Sequence, residues 1–543
     1  MTATPTRPPG ERSADLRGIA RAGSISLIGS GASAVLGFLL VVQVSRGLGA
    51  AGAGAFSVVV AVAMTMAVAG RFGTDTALVR MAPRLRALGR SRDIGAAAVA
   101  ALAPVFLGTT VLAVIAWWAA PHLVDVVFEH PAPAAATWLI RIAVATVPLG
   151  ATGFVALSLT RGLGSVVPLT VVESIAKPAL RCAFVAAALA IAHWKWPGAT
   201  AGPVIWTTIA WAVPTLIGGL WSAVLAYRAL TPLRSEPAAA EAGPAATWRE
   251  LWRFATPRAA ASACEIAGMH AGIVLVSALA GVAEAGVYNA ALRLALAGTL
   301  ALQALRLAIA PTLARLLTVG DLGGVEHLHR TASVWITVVS FPLYLVFVAW
   351  PGEVLRLFGP GFSSGATALA ILAAATLVNL ATGPVSTLLL MSGRSALTLA
   401  VTLTSLSGSV ALAATLIPHY GVTGAALAKG AAVIGENIAV TVIVRRKVGV
   451  RTFSRPLWLA VAGGGACFVV PVVIFDVVNG AIGSAAPDFT AAAALVPLGA
   501  VAYLGLLWRW RRALALAELA DALPRRLRFR RSAPPSDASE EYR

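Results

Sequence analysis

The sequence predicts an all-α polytopic membrane protein of about 14 transmembrane helices, and three observations predict it. Apolar stretches recur along the whole chain, each close to the roughly 20 residues a helix needs to cross a bilayer core. The composition is 58% hydrophobic and 12% charged, against about 25% charged for a soluble domain, and mean hydropathy is +0.82. Arginines then alternate along the chain, crowding every second loop, as expected where positive charge is retained on one side of a membrane.

The N-terminal segment, residues 1–23, is polar and carries Arg7, Arg12, Arg17 and Arg21. No cleavable signal is evident in it, since the first apolar span is of full length. The N-lobe, 24–227, holds spans at Ser24–Val44, Phe56–Val79, Ile94–Trp118, Trp138–Leu159, Val166–Ile191 and Val204–Leu225. A polar, Ala- and Pro-rich linker covers 228–257. The C-lobe, 258–444, holds Ala259–Leu279, Val287–Ile309, Ser333–Trp350, Ala366–Leu390, Leu397–Ile417 and Val422–Val444. A basic linker, 445–456, leads to a C-terminal pair, Leu457–Val478 and Thr490–Leu507, within 457–508. The tail, 509–543, is expected to form a basic amphipathic helix followed by a disordered end.

Orientation follows from charge. Arg80, Arg84, Arg86, Arg90 and Arg92 follow span two, while Arg228, Arg234, Arg249 and Arg253 sit in the first linker and Arg445, Arg446, Lys447, Arg451 and Arg455 in the second. The opposite loops carry only Arg46, Lys195 and Arg356. Even-numbered loops and both termini are therefore expected to be cytoplasmic. The formal charge of +19 would suggest a nucleic-acid partner in a soluble protein. Here the excess lies in loops and tail, where it faces anionic lipid, and no nucleic-acid partner is expected.

The two halves echo each other. Span two begins after Gly54-Ala-Phe56 and span eight after Gly286-Val-Tyr288; each leads to a basic segment, Met81–Leu88 and Pro311–Leu317. Two six-helix lobes with a cavity at their interface are a common transporter plan.

Several spans retain ionisable residues although each charge costs about 2.5–3.5 kcal/mol on insertion scales, and that cost implies a polar cavity. Span two has Arg71 and Asp75, four apart on one helix face; span five has Glu173, Lys177 and Arg181 as a stripe. Span seven has Arg258, Glu265 and His270, span eight Arg293 and Arg306, and span twelve Lys429 and Glu436. Arg293, Arg71, Lys177, Arg181, Arg306 and Lys429 are the candidate cavity cations, and a cationic cavity implies an anionic cargo. Arg293 is the foremost of these, with no acid in its span and a guanidinium fork suited to a pyrophosphate. Glu265, His270, Asp75, Glu173 and Glu436 are the candidates for coupling to a proton or sodium gradient, because a carboxylate or imidazole inside an apolar span can take up and release a proton. The competing reading for each is structural: snorkelling at an interface for Arg71, Arg258 and Arg306, ion pairing for Glu173, Lys177 and Arg181, and neutralisation by Arg258 or a cation of another span for Glu265. Pro178, Pro214, Pro257, Pro342 and Pro384 can kink spans, which suits moving lobes and static bundles alike.

Cys182, Cys264 and Cys467 lie in apolar spans without metal-ligand spacing and are expected to be small buried residues. In the longest outer loop, Ala119 to Thr137, the set His122, Asp125, Glu129 and His130 matches no metal site and is expected to be solvated. No nucleotide-binding loop is present, so no ATP coupling and no bound cofactor is expected.

Four turns resemble those of polysaccharide flippases. They are Arg46-Gly-Leu-Gly-Ala-Ala-Gly-Ala-Gly-Ala-Phe56, Gly73-Thr-Asp-Thr-Ala-Leu-Val-Arg80, Leu355-Arg-Leu-Phe-Gly-Pro360 with Gly393 after the next span, and Leu416-Ile-Pro-His-Tyr-Gly-Val-Thr-Gly-Ala-Ala-Leu427. In order, and at span junctions from Arg46 to Val448, they resemble the polysaccharide-transporter branch of the multidrug/oligosaccharidyl-lipid/polysaccharide exporter superfamily. The resemblance implies a twelve-helix core of two lobes around a central cavity. It also implies a polyprenyl-pyrophosphate-linked oligosaccharide as cargo, flipped across the bacterial cytoplasmic membrane by a monomer that serves a polysaccharide polymerase or glycosyltransferases. Lipid II flippases of the same superfamily also have two extra C-terminal spans. A multidrug antiporter would favour acidic spans for cationic drugs. A membrane-embedded polymerase or transferase would need a base or metal site at a membrane face. The chain is accordingly expected to be a transporter and not an enzyme.

Overall fold

The computed structural model describes residues 9–195, 201–234, 243–482 and 488–514, and those residues are helical almost throughout. The expected disordered end of the tail lies outside them. Among the described residues, ten helical stretches are long and apolar enough to cross a membrane, fewer than the expected fourteen spans. The difference has local causes. Two of the ten are hairpins. The helix Pro9–Ala69 is broken at Gly49, where φ is 68° and ψ −177°. Ser33 and Met64 line one cavity, although an unbroken helix rising 1.5 Å per residue would hold them about 46 Å apart. The helix Ser395–Ile443 is broken in the same way at Gly421, with φ 53°. There Thr402 and Glu436, 34 residues apart, are hydrogen-bonded at 3.3 Å. Both glycines stand in the turn motifs and adopt a left-handed backbone that a side chain would strain. The eighth apolar stretch is divided at Gly298 into Val282–Ala297 and Thr299–Thr318. The last is the helix Asp488–Arg509, whose apolar part, Ala494–Arg509, is short.

The stretch read as a linker is partly helical: residues from Pro244 onward belong to the helix Pro244–Leu279, with Pro257 inside it. Cys182 and Cys467 are buried as expected, but Cys264 is exposed. It sits on the face of that helix left uncovered by protein.

Contacts divide the chain into two compact units. The first comprises Met1–Leu300, Trp350–Thr376 and Ala396–Glu436. Its core includes Leu78, Leu85, Ile94, Val105, Val155 and Leu159. Its tightest crossing joins the second arm of the Gly49 hairpin to the Val282–Ala297 helix. A Cβ placed on Gly54 would meet the carbonyl of Val282, and one on Gly286 would meet the carbonyl of Ala50. Small residues at both faces let two backbones come into contact, as in close-packed membrane helices. The echoing segments of the two halves are therefore direct packing partners.

The second unit comprises Ala301–Ala349, Leu377–Ser395 and Asn437–Arg543. In it the C-terminal helices dock on Leu322–Ala349. Val334 and Val338 pack with Leu457, Ala460 and Leu514, and the Tyr503 hydroxyl donates to the Val338 carbonyl at 3.1 Å. The basic linker is tied down beside them. Glu326 pairs with Arg330 at 2.8 Å and accepts from the Arg451 amide at 2.9 Å.

The glycine crossing yields a prediction. Gly286→Val must push two backbones apart, at a cost of about 1–3 kcal/mol of the kind seen for overpacked cores. The purified variant should lose several degrees in Tm relative to Gly435→Val, a position with nothing within contact distance. Thermal unfolding monitored by fluorescence reads the difference.

Candidate functional site

The glycine crossing also sets the polar site. Gly286, Asn289 and Arg293 lie at i, i+3 and i+7, one face of the Val282–Ala297 helix. The Asn289 amide donates to Ser57 Oγ at 2.9 Å, three residues beyond Gly54 on the other helix. One turn further, Arg293 reaches a cavity of 220 Å³. The two arms of the Gly49 hairpin form much of the wall, and Arg181, Trp211 and His270 complete the polar and aromatic edge. Its described lining includes two arginines and no carboxylate.

Arg181 is held from two sides. Its guanidinium lies 4.7 Å from the centre of the Trp211 ring and donates to Thr215 Oγ1 at 2.8 Å. Trp211 is itself fixed edge-on by Phe56, with ring centres 6.3 Å apart. A planar cation clamped on an aromatic face keeps its remaining N–H groups aimed in one direction.

Behind Arg181 runs an ion ladder. Lys177 Nζ donates to both carboxylate oxygens of Glu173, at 2.8 and 2.9 Å. The Lys177 side chain is only 8% exposed, and its stem packs against Gly218, where no side chain intervenes. Glu173 sits in a π-helical turn, Thr170–Ala176, that widens the helix just before Lys177; such turns concentrate at functional positions. Arg71, Lys177 and Arg181 all lie within Coulombic reach of Glu173. Arg71 stands at the break after Ala69, its guanidinium 3.7 Å from the centre of the Phe154 ring, with Asp75 also in electrostatic reach. The structure thus gathers Arg71, Asp75, Glu173, Lys177 and Arg181 into one charged region, and places Arg181, His270 and Arg293 on one cavity.

Other candidates lie elsewhere. Glu265 pairs with Arg258, each carboxylate oxygen accepting from one guanidinium nitrogen at 3.3 Å, and the pair is not part of the cavity lining. Glu436 accepts from Thr402 and attracts Lys429, a second polar pair inside the Gly421 hairpin. Arg306 belongs to the second unit. In the loop Ala119 to Thr137, His130 pairs with Asp125 at 3.2 Å, and Glu129 abuts the turn at Gly281. Among the described residues no group of three or more His, Cys, Asp or Glu side chains could hold a metal ion.

Sequence reasoning passed over three elements of the site. Asn289 and Ser57 are uncharged, and only the Gly54/Gly286 echo could have marked them. Trp211 reads as one more apolar residue in its span. A further cation, Arg141, also went unremarked. It lies over Trp117 and Trp138, at 5.6 and 5.2 Å from the ring centres, where Trp138, one helical turn earlier in sequence, was the available signal.

Apolar helices enclosing a cation-edged cavity define a multi-pass membrane protein, and the fold is that of the multidrug/oligosaccharidyl-lipid/polysaccharide exporter superfamily. The chain is similar to the lipid II flippase MurJ in an inward closed conformation, at 10% identity and a TM-score of 0.69, covering 90% of this chain and 99% of that one. It is also similar to an inward-facing MATE multidrug resistance transporter, at 15% identity and TM-score 0.56 over 77% of this chain and 94% of that one. A third likeness is to a Vibrio cholerae MATE transporter, at 14% identity and TM-score 0.52 over 82% and 99%. No curated protein matches the chain by sequence. Residues 19–317 match the family described as polysaccharide biosynthesis protein, and the chain belongs to that family.

The ladder can be tested without a transport assay. Glu173→Gln leaves the buried Lys177 ammonium without its counter-ion, an arrangement that costs about 3–5 kcal/mol when a buried pair is broken. Lys177→Met added to Glu173→Gln should recover most of the loss. A double-mutant cycle in denaturant unfolding reads the coupling directly.

Proposed function

We propose that this chain is a flippase. It carries a polyprenyl-(pyro)phosphate-linked oligosaccharide from the inner to the outer leaflet of the bacterial cytoplasmic membrane by alternating access, in the making of a cell-surface polysaccharide. The observation that carries this reading is the cavity holding Arg181 and Arg293 without a carboxylate. Such a site attracts a phosphate headgroup and repels the cationic drugs that multidrug antiporters often take. Membership of the polysaccharide biosynthesis family supports the class of cargo.

In this reading the headgroup engages the two guanidiniums while the polyprenyl tail stays in lipid. A cavity of 220 Å³ lies below the roughly 300 Å³ at which ligand pockets begin. It suits a phosphate group and not an oligosaccharide, so the helices must part for loading and release. Both termini and the arginine-rich loops are cytoplasmic. An ion gradient drives the cycle through carboxylates outside the cavity, with Glu173 and Glu436 the candidates. The protein acts as a monomer beside the polymerase or glycosyltransferases that make and consume its cargo, and performs no chemistry itself.

A second reading, lipid II as cargo, is favoured by the fold likeness to MurJ and by the docked C-terminal helix pair. Its cargo has the same pyrophosphate chemistry and differs in the sugars.

Complementation separates these readings. Wild type should restore surface polysaccharide in a strain lacking a polysaccharide flippase. Arg293→Ala and Arg181→Ala should each reduce it at least tenfold at equal membrane abundance, consistent with losing a charged hydrogen bond of about 1.5–3 kcal/mol. Rescue of a lipid II flippase deletion instead would favour the second cargo. Full activity of both arginine variants would remove the cavity from the mechanism.

A further inference from the structure

A second basic pocket lies away from the cavity, where the Thr74–Ala87 helix meets the helix Pro244–Leu279. Its volume is 190 Å³, and it is lined by Arg80, Arg84, Arg253 and Glu250 over an apolar floor that includes Met81 and Phe254. Three guanidiniums face one carboxylate. Glu250 is already engaged. It pairs with Arg84 at 2.7 Å and with Arg90 at 3.7 Å, and Arg90 is shared with Asp93 at 2.7 Å. Arg80 lies 4.6 Å from the centre of the Phe254 ring, which holds its fork at the rim. Among the described residues neither Arg80 nor Arg253 has an ion-pair partner, and both are exposed.

We infer that this pocket binds a phosphate or pyrophosphate group, with Glu250 as the internal anion that the ligand displaces. The chemistry is explicit in the residues. Forked guanidiniums match phosphate oxygens bidentately, the floor is apolar, and positive charge remains in excess after Glu250 is paired. Glu250 also fastens the linker helix to the ends of two others through Arg84 and Arg90. A phosphate that takes Arg84 from Glu250 therefore loosens that fastening. Anion binding at this surface and freedom of the Pro244–Leu279 helix are thereby linked, and only the assignment of the pocket to the cytoplasmic side rests on the flippase reading. The phosphate can come from a lipid headgroup or from a free ion; the recognition is the same.

The test uses the full chain in nanodiscs of neutral phosphatidylcholine and labelled inorganic pyrophosphate as probe. It is run in an Arg181→Gln/Arg293→Gln background, so that the central cavity does not contribute and failure of the flippase reading leaves the result intact. Saturable, salt-sensitive binding is expected. Arg80→Gln with Arg253→Gln should weaken it at least tenfold, and these exposed residues lie outside the Glu250 ion pairs. Glu250→Gln should tighten it several-fold, because the internal competitor is gone. Phosphatidylglycerol added to the discs should displace pyrophosphate if a lipid headgroup is the natural source, and leave binding unchanged if a free ion is. No binding, binding indifferent to the Arg80/Arg253 pair, or weaker binding in a Glu250→Gln variant with unchanged Tm would overturn the inference.

Discussion

The polar interior depends on one backbone contact, the crossing of the helices that carry Gly54 and Gly286. With no side chain on either glycine, each backbone reaches the opposing carbonyl. That proximity fixes everything one and two turns further along. It seats Asn289 against Ser57 and turns Arg293 toward the cavity. The crossing also explains why the two halves echo each other in sequence. A backbone interface this close requires a small residue from each side, and Gly54 and Gly286 supply it.

Around that crossing the molecule manages the cost of holding cations among apolar helices by giving each a partner suited to its shape. Arg71 and Arg181 rest on the rings of Phe154 and Trp211. Lys177, a compact charge less suited to stacking, has a carboxylate. Glu173 is placed to attract all three. Two acids, Asp75 and Glu173, against three bases leave net positive charge in the region, an excess that on the proposed reading favours an anion in the neighbouring cavity.

Much of this was legible in the sequence. Spans are set by hydrophobic length, and the hairpin turns by glycines at Gly49 and Gly421, so the helical plan and the family were readable before any coordinates. The stripe Glu173, Lys177 and Arg181 was readable because helical spacing alone brings those residues together. What was not legible depended on distance across helices. Glu265 was readable as an acid with Arg258 as one possible partner seven residues away on its own helix, and that pair forms; its place outside the cavity lining, set by how helices pack, was not. The break at Gly298 and the π-helical turn at Thr170–Ala176 change where side chains point without changing hydropathy. Fourteen apolar stretches did not translate into fourteen long helices for the same reason: backbone breaks divide some and fold others back.

The absence of carboxylates from the described lining of the cavity bears on leakage. A carrier that opens alternately to two compartments risks passing hydronium or sodium with every turnover, which would drain the gradient that energises the membrane. Fixed guanidiniums raise an electrostatic barrier to small cations, as arginines do in pores that must exclude protons. On the proposed reading, the same two side chains that would draw in an anionic headgroup would also insulate the bilayer while the path is open.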